Sequence, residues 1–182
     1  MVSRDEGRRL VQTALARHLL QAGLGSTSLR QLAAAAGTSD RMLLYYYTDK
    51  AEALSAAMAA VASGLAGQLE AAVPAAGVMG ARALATAAAQ FTIGTAARPY
   101  MRLWIEVVAA AARGEAPFPQ LASQIANNFI VWTEARLDPA GLADPRATAT
   151  AIVALLDGLA VIAVCEDEAL VARAASSLGD LI

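Results

Sequence analysis

The chain of 182 residues has one cysteine, Cys165, one histidine, His18, and one lysine, Lys50. A single cysteine excludes an intrachain disulfide and a thiolate zinc cluster, and it reads as a small buried hydrophobe. A single histidine has no second imidazole to share a metal with, and a core or boundary place suits it. Cys165 and His18 lie far apart in sequence, so a Ser–His–Asp or Cys–His triad would require an unusual fold. No Gly-rich motif that cradles phosphate is present. Long alternating runs rich in Val, Ile and Thr are missing, which excludes a β architecture and leaves an all-α one. No internal repeat is visible. The start, MVSRDEGRRL, lacks the apolar core of a signal peptide. The longest charge-free runs, Ala53–Leu69 and Ala116–Thr133, are interrupted by Ser, Gly, Gln, Asn and Pro. Neither is the uniform apolar stretch of about 20 residues that spans a bilayer. These absences lead to the expectation of a cytoplasmic protein off the membrane, not an enzyme, with no catalytic residues, no metal and no cofactor.

What is abundant is alanine, about a quarter of the residues, which suits helices. Charge is sparse and uneven. Residues 1–55 hold seven basic and five acidic side chains, a net +2, while the remainder carries −4. A basic head on an acidic body suits contact with a polyanion at one end only.

The head contains the most informative stretch, Ser28 to Lys50. Ser28 with Gln31 forms a capping box and opens a short helix. Leu29, Leu32, Ala33 and Ala36 recur on one apolar face. Gly37 ends that helix, because glycine takes the left-handed terminal position without strain. Thr38 and Ser39 are N-cap candidates for a second helix over about Asp40–Tyr46. Two short helices around a Gly turn make a helix-turn-helix, whose second helix enters the DNA major groove. The turn by itself is also common in helical proteins that never meet DNA. Tyr45, Tyr46 and Tyr47 cannot all lie on one helix face, so part of this run packs inward.

The pattern extends from Arg8 to Leu54. Its elements are Ala14, Leu19–Leu20, Ala22-Gly23, then Thr27-Ser28-Leu29-Arg30-Gln31-Leu32-Ala33. Ala36-Gly37-Thr38-Ser39, Tyr47-Thr48-Asp49-Lys50 and Leu54 follow. This third of the chain resembles the N-terminal domain of the tetracycline-repressor (TetR) family of transcription regulators. It departs from that family at Arg41 and Met42, where a small residue and Thr or Ser are usual, at Leu44, usually Tyr, and at Tyr47, usually Phe. The family's tyrosine contact to phosphate therefore passes to Tyr45 or Tyr46. The resemblance implies a DNA-binding regulator of repressor type, a homodimer on a palindromic (inverted-repeat) double-stranded operator, released by a small-molecule effector. It implies that Arg30, Arg41 and Met42 face base edges, since Arg can bond guanine twice and Met can touch a thymine methyl. Ser28, Thr38, Tyr45, Tyr46 and Lys50 would hold phosphates, with Ser39 beside them at the start of the recognition helix.

Around this motif the sequence predicts about nine helices. Ser3 with Glu6 opens the first, which runs to about Gln21 with Leu10, Ala14, Leu15, His18 and Leu19 on or beside its inner stripe. Asp49 with Glu52 opens a long helix to about Ala72, which Pro74 and Gly77 break. The expected domains are therefore 1–48, the DNA-binding head, and 49–182, a helical ligand-binding and dimerisation body. Body helices are predicted at Val78–Ala97, Pro99–Arg113, Pro119–Leu137, Pro145–Cys165 and Asp167–Leu181, with a rigid loop over Ala116–Pro119. The last two are apolar nearly all round, and such helices are buried in something. A second copy is the expected partner, as in the resembled family, with Gly158 allowing close approach. Asp157 is expected to be paired at that interface or exposed at its rim, and Glu166-Asp167-Glu168 to serve a helix N-terminus.

A ligand chamber is expected among the middle helices. Trp104 and Val108 share one face, Ile125, Asn128 and Trp132 another, and Gln90 and Phe91 lie on a third. Met101 and Glu106 add further options. Apolar walls with a few polar groups describe small-molecule pockets, and they equally describe ordinary cores. Two other classes stay open: an all-α small-molecule or lipid carrier without specific DNA binding, and an enzyme in the body. The first predicts no salt-dependent DNA affinity, and the second lacks clustered catalytic groups.

Overall fold

A computed structural model of the chain describes residues 3–73 and 78–182, so the breaks expected at Pro74 and Gly77 lie outside the described residues. The fold is all-α. Among the described residues the helices are α1 (Arg4–Ala22), α2 (Leu29–Ala35), α3 (Asp40–Tyr46), α4 (Lys50–Ala72), α5 (Ala81–Ile93), α6 (Arg98–Ala112), α7 (Phe118–Glu134), α8 (Pro145–Cys165) and α9 (Glu168–Ser177), with 3₁₀ turns at Leu24–Ser26 and Leu178–Leu181.

Most boundaries follow from capping chemistry. Ser3, Ser28, Ser39, Asp144 and Asp167 each accept a backbone N–H from three residues ahead with their side-chain oxygen. Each satisfies one of the orphan donors of a helix start. Pro145 follows Asp144 at the first helical position, where its missing N–H costs nothing.

Three body helices are shorter than the sequence predicts. α5 runs Ala81–Ile93 instead of Val78–Ala97, and α7 stops at Glu134 instead of Leu137. One cause serves the start of α5 and the end of α7, while α5 stops at Ile93 because Gly94 leaves the helix in an extended conformation. Met79 and Leu137 form an isolated parallel bridge, in which Met79 N–H donates to the Arg136 carbonyl (2.7 Å) and Asp138 N–H to the Met79 carbonyl (2.8 Å). Those extended residues cannot also be helical. The last helix ends at Ser177 and finishes as the 3₁₀ turn, where a Cβ on Gly179 would overlap Arg82 and Thr86. The loop expected over Ala116–Pro119 is also shorter, since Phe118 already starts α7.

By packing, the chain divides into two units. The first comprises residues 1–64 and 103–122. Within it α1, α2 and α3 contact one another, and Val11, Leu15, Leu19, Leu32, Ala33, Leu43 and Tyr47 are buried. Leu10, expected on or beside the inner stripe of α1, is exposed, and Val11 takes the inward place one residue on. The second unit comprises residues 65–102 and 123–182. α5 lies against α8, α9 and the C-terminal turn, around a core that includes Leu84, Ala85, Ala89, Ile152, Leu159, Val171 and Ala175.

α8 corrects one sequence reading. Counting charge-free runs passes over it, because Arg146 and Asp157 interrupt it. By length and composition it is nevertheless apolar enough to cross a membrane, and only 22% of its most apolar window is buried. Its buried side packs on α5 and α9. Its other side carries Ala151, Ala154, Gly158, Val161, Ile162 and Cys165, all exposed and spaced by threes and fours. Cys165, expected to be buried, is thus exposed.

Candidate nucleic-acid interface

The head is built from its caps outward. Ser28 Oγ accepts the Gln31 N–H (3.3 Å) and donates to Gln31 Oε1 (2.5 Å), while Ser28 N–H donates to the same oxygen (3.0 Å). This reciprocal box fixes the start of α2. After Ala36 the chain turns at Gly37, whose φ is +64°, and Thr38 N–H donates back to the Ala33 carbonyl (2.9 Å). Ser39 then caps α3 by accepting the Met42 N–H (3.2 Å).

α3 is seven residues long and two-faced. Leu43 is fully buried, and Tyr47, just past its end, is 1% exposed. Arg41 is exposed, and so are three large apolar side chains: Met42 (44%), Leu44 (44%) and Tyr45 (55%). Together they give this short helix an exposed, partly apolar face beside one cation. Arg30 stands exposed on α2, and Lys50 stands exposed as the first residue of α4.

The three consecutive tyrosines have three different settings. Tyr47 is core: its hydroxyl donates to the Arg8 carbonyl (3.4 Å), and the Arg8 guanidinium lies 5.0 Å from its ring centre. Burial pushes the Tyr47 phenol above its ordinary value, with Arg8 opposing. Tyr46 is half-buried over α1, where a Cβ on Gly7 would overlap its hydroxyl. Tyr45 lies outermost, edge-on to Tyr46 at 5.3 Å. Arg4 donates to the Tyr45 carbonyl (3.3 Å), with its guanidinium 5.0 Å from the Tyr45 ring. Of the two tyrosines expected to hold phosphate, Tyr45 is thus the freer.

Below α3, Glu52 ties the head together. Its carboxylate accepts the Thr48 N–H (2.6 Å) and pairs with Arg8 (2.7 Å), while Glu52 N–H donates to Asp49 Oδ1 (2.8 Å). The predicted box is present, but its return arm reaches Thr48 rather than Asp49. The Thr48 bond, aided by Arg8, holds the Glu52 carboxyl below the usual carboxylate range.

Sequence reasoning missed Arg4, Arg8 and Glu106. Arg4 and Arg8 meet their partners about 40 residues away, a separation on which helical periodicity is silent. Glu106, one of the options for a ligand wall, instead accepts the Leu24 N–H (2.6 Å) within the first unit.

The expected ligand residues have different local settings. Phe91 packs on the core of the second unit. Trp132 donates its indole N–H to Glu70 (2.9 Å), lies under the Arg136 guanidinium at 3.8 Å, and Arg136 pairs with Glu70. Asn128 and Val108 are exposed and Trp104 is half-buried. Met101 lines a cleft of about 400 Å³ in the second unit, together with Ile93, Arg98, Arg102, Ala163 and Val164. Among the described residues no cluster of His, Cys, Asp and Glu could hold a metal ion.

Residues 13–57 match the model of the family described as bacterial regulatory proteins, tetR family. The fold is that of solved regulators. One is described as a TetR-family transcriptional regulator from Rhodococcus sp., 20% identical, with 98% of each chain covered and a TM-score of 0.79. Another is a transcriptional regulator from Saccharomonospora viridis in complex with choline, 18% identical, covering 98% of this chain and 96% of that one, at 0.68. The multidrug binding protein EbrR, complexed with imidazole, is 24% identical over 94% of this chain and 93% of that one, at 0.66. No curated protein matches the chain in sequence.

Proposed function

We propose that this chain, a tetR-type DNA-binding head at residues 13–57 on a TetR-like helical fold, is a ligand-responsive transcription repressor. The observation that carries the reading is the outer face of α3. Arg41, Met42, Leu44 and Tyr45 are exposed together in a head whose inward residues are fully committed to its core. Arg41 and Met42 read base edges, and Arg30 adds a contact from α2. Ser28, Thr38, Ser39, Tyr45, Tyr46 and Lys50 approach the backbone and fix register.

The protein acts as a homodimer through α8 and α9 on an inverted repeat. The support is the apolar stripe along α8, which its own protomer leaves uncovered. A small molecule bound in the body releases DNA by preferring the non-binding state. The cleft beside Met101 is the candidate place for it, with apolar walls and a few polar groups. Two of the solved relatives carry small molecules, choline and imidazole.

The test is selection of duplexes from a randomised pool, followed by affinity measurement for the selected and a scrambled duplex across a salt series. A regulator enriches an inverted repeat and binds it with a steep salt dependence. Ligand binding with no salt-dependent DNA affinity would instead make the chain a carrier.

A further inference from the structure

The turn between α1 and α2 is held by a residue from much later in the chain. At Gly23 the backbone has φ +66° and ψ −162°, a conformation essentially confined to glycine. The Glu106 carboxylate sits directly over that glycine, where a Cβ would overlap it. It accepts the Leu24 N–H at 2.6 Å. The hydrogen bonds continue: Thr27 Oγ1 donates to the Leu24 carbonyl (2.9 Å), and the next residue, Ser28, caps α2. Glu106, Leu24, Thr27 and Ser28 thus form one bonded path from α6 to the first turn of α2. That turn carries two of the proposed DNA contacts, Ser28 and Arg30.

We infer that Glu106 is a positioning residue for DNA binding, setting the start of α2, and with it Ser28 and Arg30, against the duplex. The inference rests on the DNA-binding reading above. Glu106 touches no DNA itself. A carboxylate accepting a backbone N–H makes a charge-assisted bond, stronger than a neutral one. The neighbouring glycine, lacking a Cβ, lets it come this close. α3 has its own cap at Ser39 and its own buried anchors, Leu43 and Tyr47, so the contacts of Arg41 should depend on this path less than those of Ser28 and Arg30.

The experiment is a double-mutant cycle on the full chain, read as affinity for a duplex selected by the wild type, at fixed salt. Glu106→Ala is expected to weaken binding by about tenfold, the scale of one lost hydrogen bond to a charged group. Glu106→Gln keeps an acceptor oxygen and is expected to stay within a few-fold of wild type. Combined with Arg30→Ala, Glu106→Ala should add little, whereas combined with Arg41→Ala its effect should appear in full. Thr27→Val, which removes the next bond in the path, should reproduce the loss and the same pattern, and it serves if Glu106→Ala folds poorly. Amide exchange at Leu24 should rise in Glu106→Ala, while amides within α3 keep their protection. Unchanged affinity in both Glu106→Ala and Thr27→Val overturns the inference. Full additivity with Arg30→Ala, or a silent Arg30→Ala, also overturns it. A wild type that binds no duplex at all refutes the DNA-binding reading instead.

Discussion

Arg41 is the second residue of a seven-residue helix, exposed, with no ion-pair partner among the described residues. A guanidinium left free in this way retains its five donors for an outside acceptor. Arg41→Ala is expected to lower the ratio of selected-duplex to scrambled-duplex affinity by about 1–3 kcal/mol per half-site, with fold and melting temperature unchanged. Affinity titrations on both duplexes at one salt concentration check it, and an unchanged ratio would remove Arg41 from base readout. Glu52 makes a different kind of prediction. Its folded carboxyl is held below the usual range, chiefly by the Thr48 N–H. Its contribution to stability is therefore full above the unfolded carboxylate value and is lost as pH falls through the lower folded one. Denaturant midpoints of wild type and Glu52→Gln should differ near neutrality and converge in acid. A gap that stays constant down the acid limb would show that Glu52 acts through shape alone.

The head depends on two glycines in different surroundings, Gly23 under the Glu106 carboxylate and Gly37 in the helix-turn-helix turn. Gly37 has φ +64°, and a Cβ there meets nothing within 4 Å, so a side chain is opposed by backbone conformation only. Gly37→Ala should cost about 1–2 kcal/mol, and Gly37→Asn less, because asparagine tolerates the left-handed region. Thermal melts of the two variants check the order, and equal losses would point to a contact at Gly37 that the turn does not show. Legibility divides along the same line between local and distant causes. The caps at Ser3, Ser28 and Ser39 and the left-handed Gly37 are readable, because each is settled within a few residues, whereas the acidic run at Asp167 reads as a dipole effect and proves to hold a side-chain cap. Leu10 and Val11 are hard to tell apart in sequence, because a stripe of neighbouring apolar residues fits either of two adjacent phases. The shortened start of α5 and end of α7 were hidden, since the Met79–Leu137 bridge joins segments nearly 60 residues apart. Glu106 is in sequence no more than one option for a ligand wall for the same reason: its partner, Leu24, lies 82 residues away. Within the candidate interface, Arg30, Arg41, Met42, Tyr45 and Lys50 come from the family resemblance, and the structure adds that all five are exposed. Arg4 does not, for it enters only through its approach to Tyr45.

On the scale of the molecule, α8 carries an apolar stripe that the protomer leaves in water. Gly158 lies in the middle of that stripe, and a Cβ added there meets open space. This separates two effects that usually coincide. Within the protomer, Gly158→Leu replaces the poorest ordinary helix former with one of the best, which favours α8 by about 1 kcal/mol. Across a close helix–helix contact the same leucine overpacks, costing about 1–3 kcal/mol at each copy of the site. The variant is therefore expected to sediment toward monomer and lose affinity for the inverted repeat, while its dilute protomer melts no lower than wild type. Sedimentation and melting at low concentration check both halves, and a variant that remains fully dimeric places the interface elsewhere. If a second copy covers the stripe, mass action governs the switch. Below the dissociation constant of the pair, the assembled form grows as the square of chain concentration, so halving the amount of chain cuts it roughly fourfold. Dilution by growth or slower synthesis would then relieve repression steeply, with no effector present.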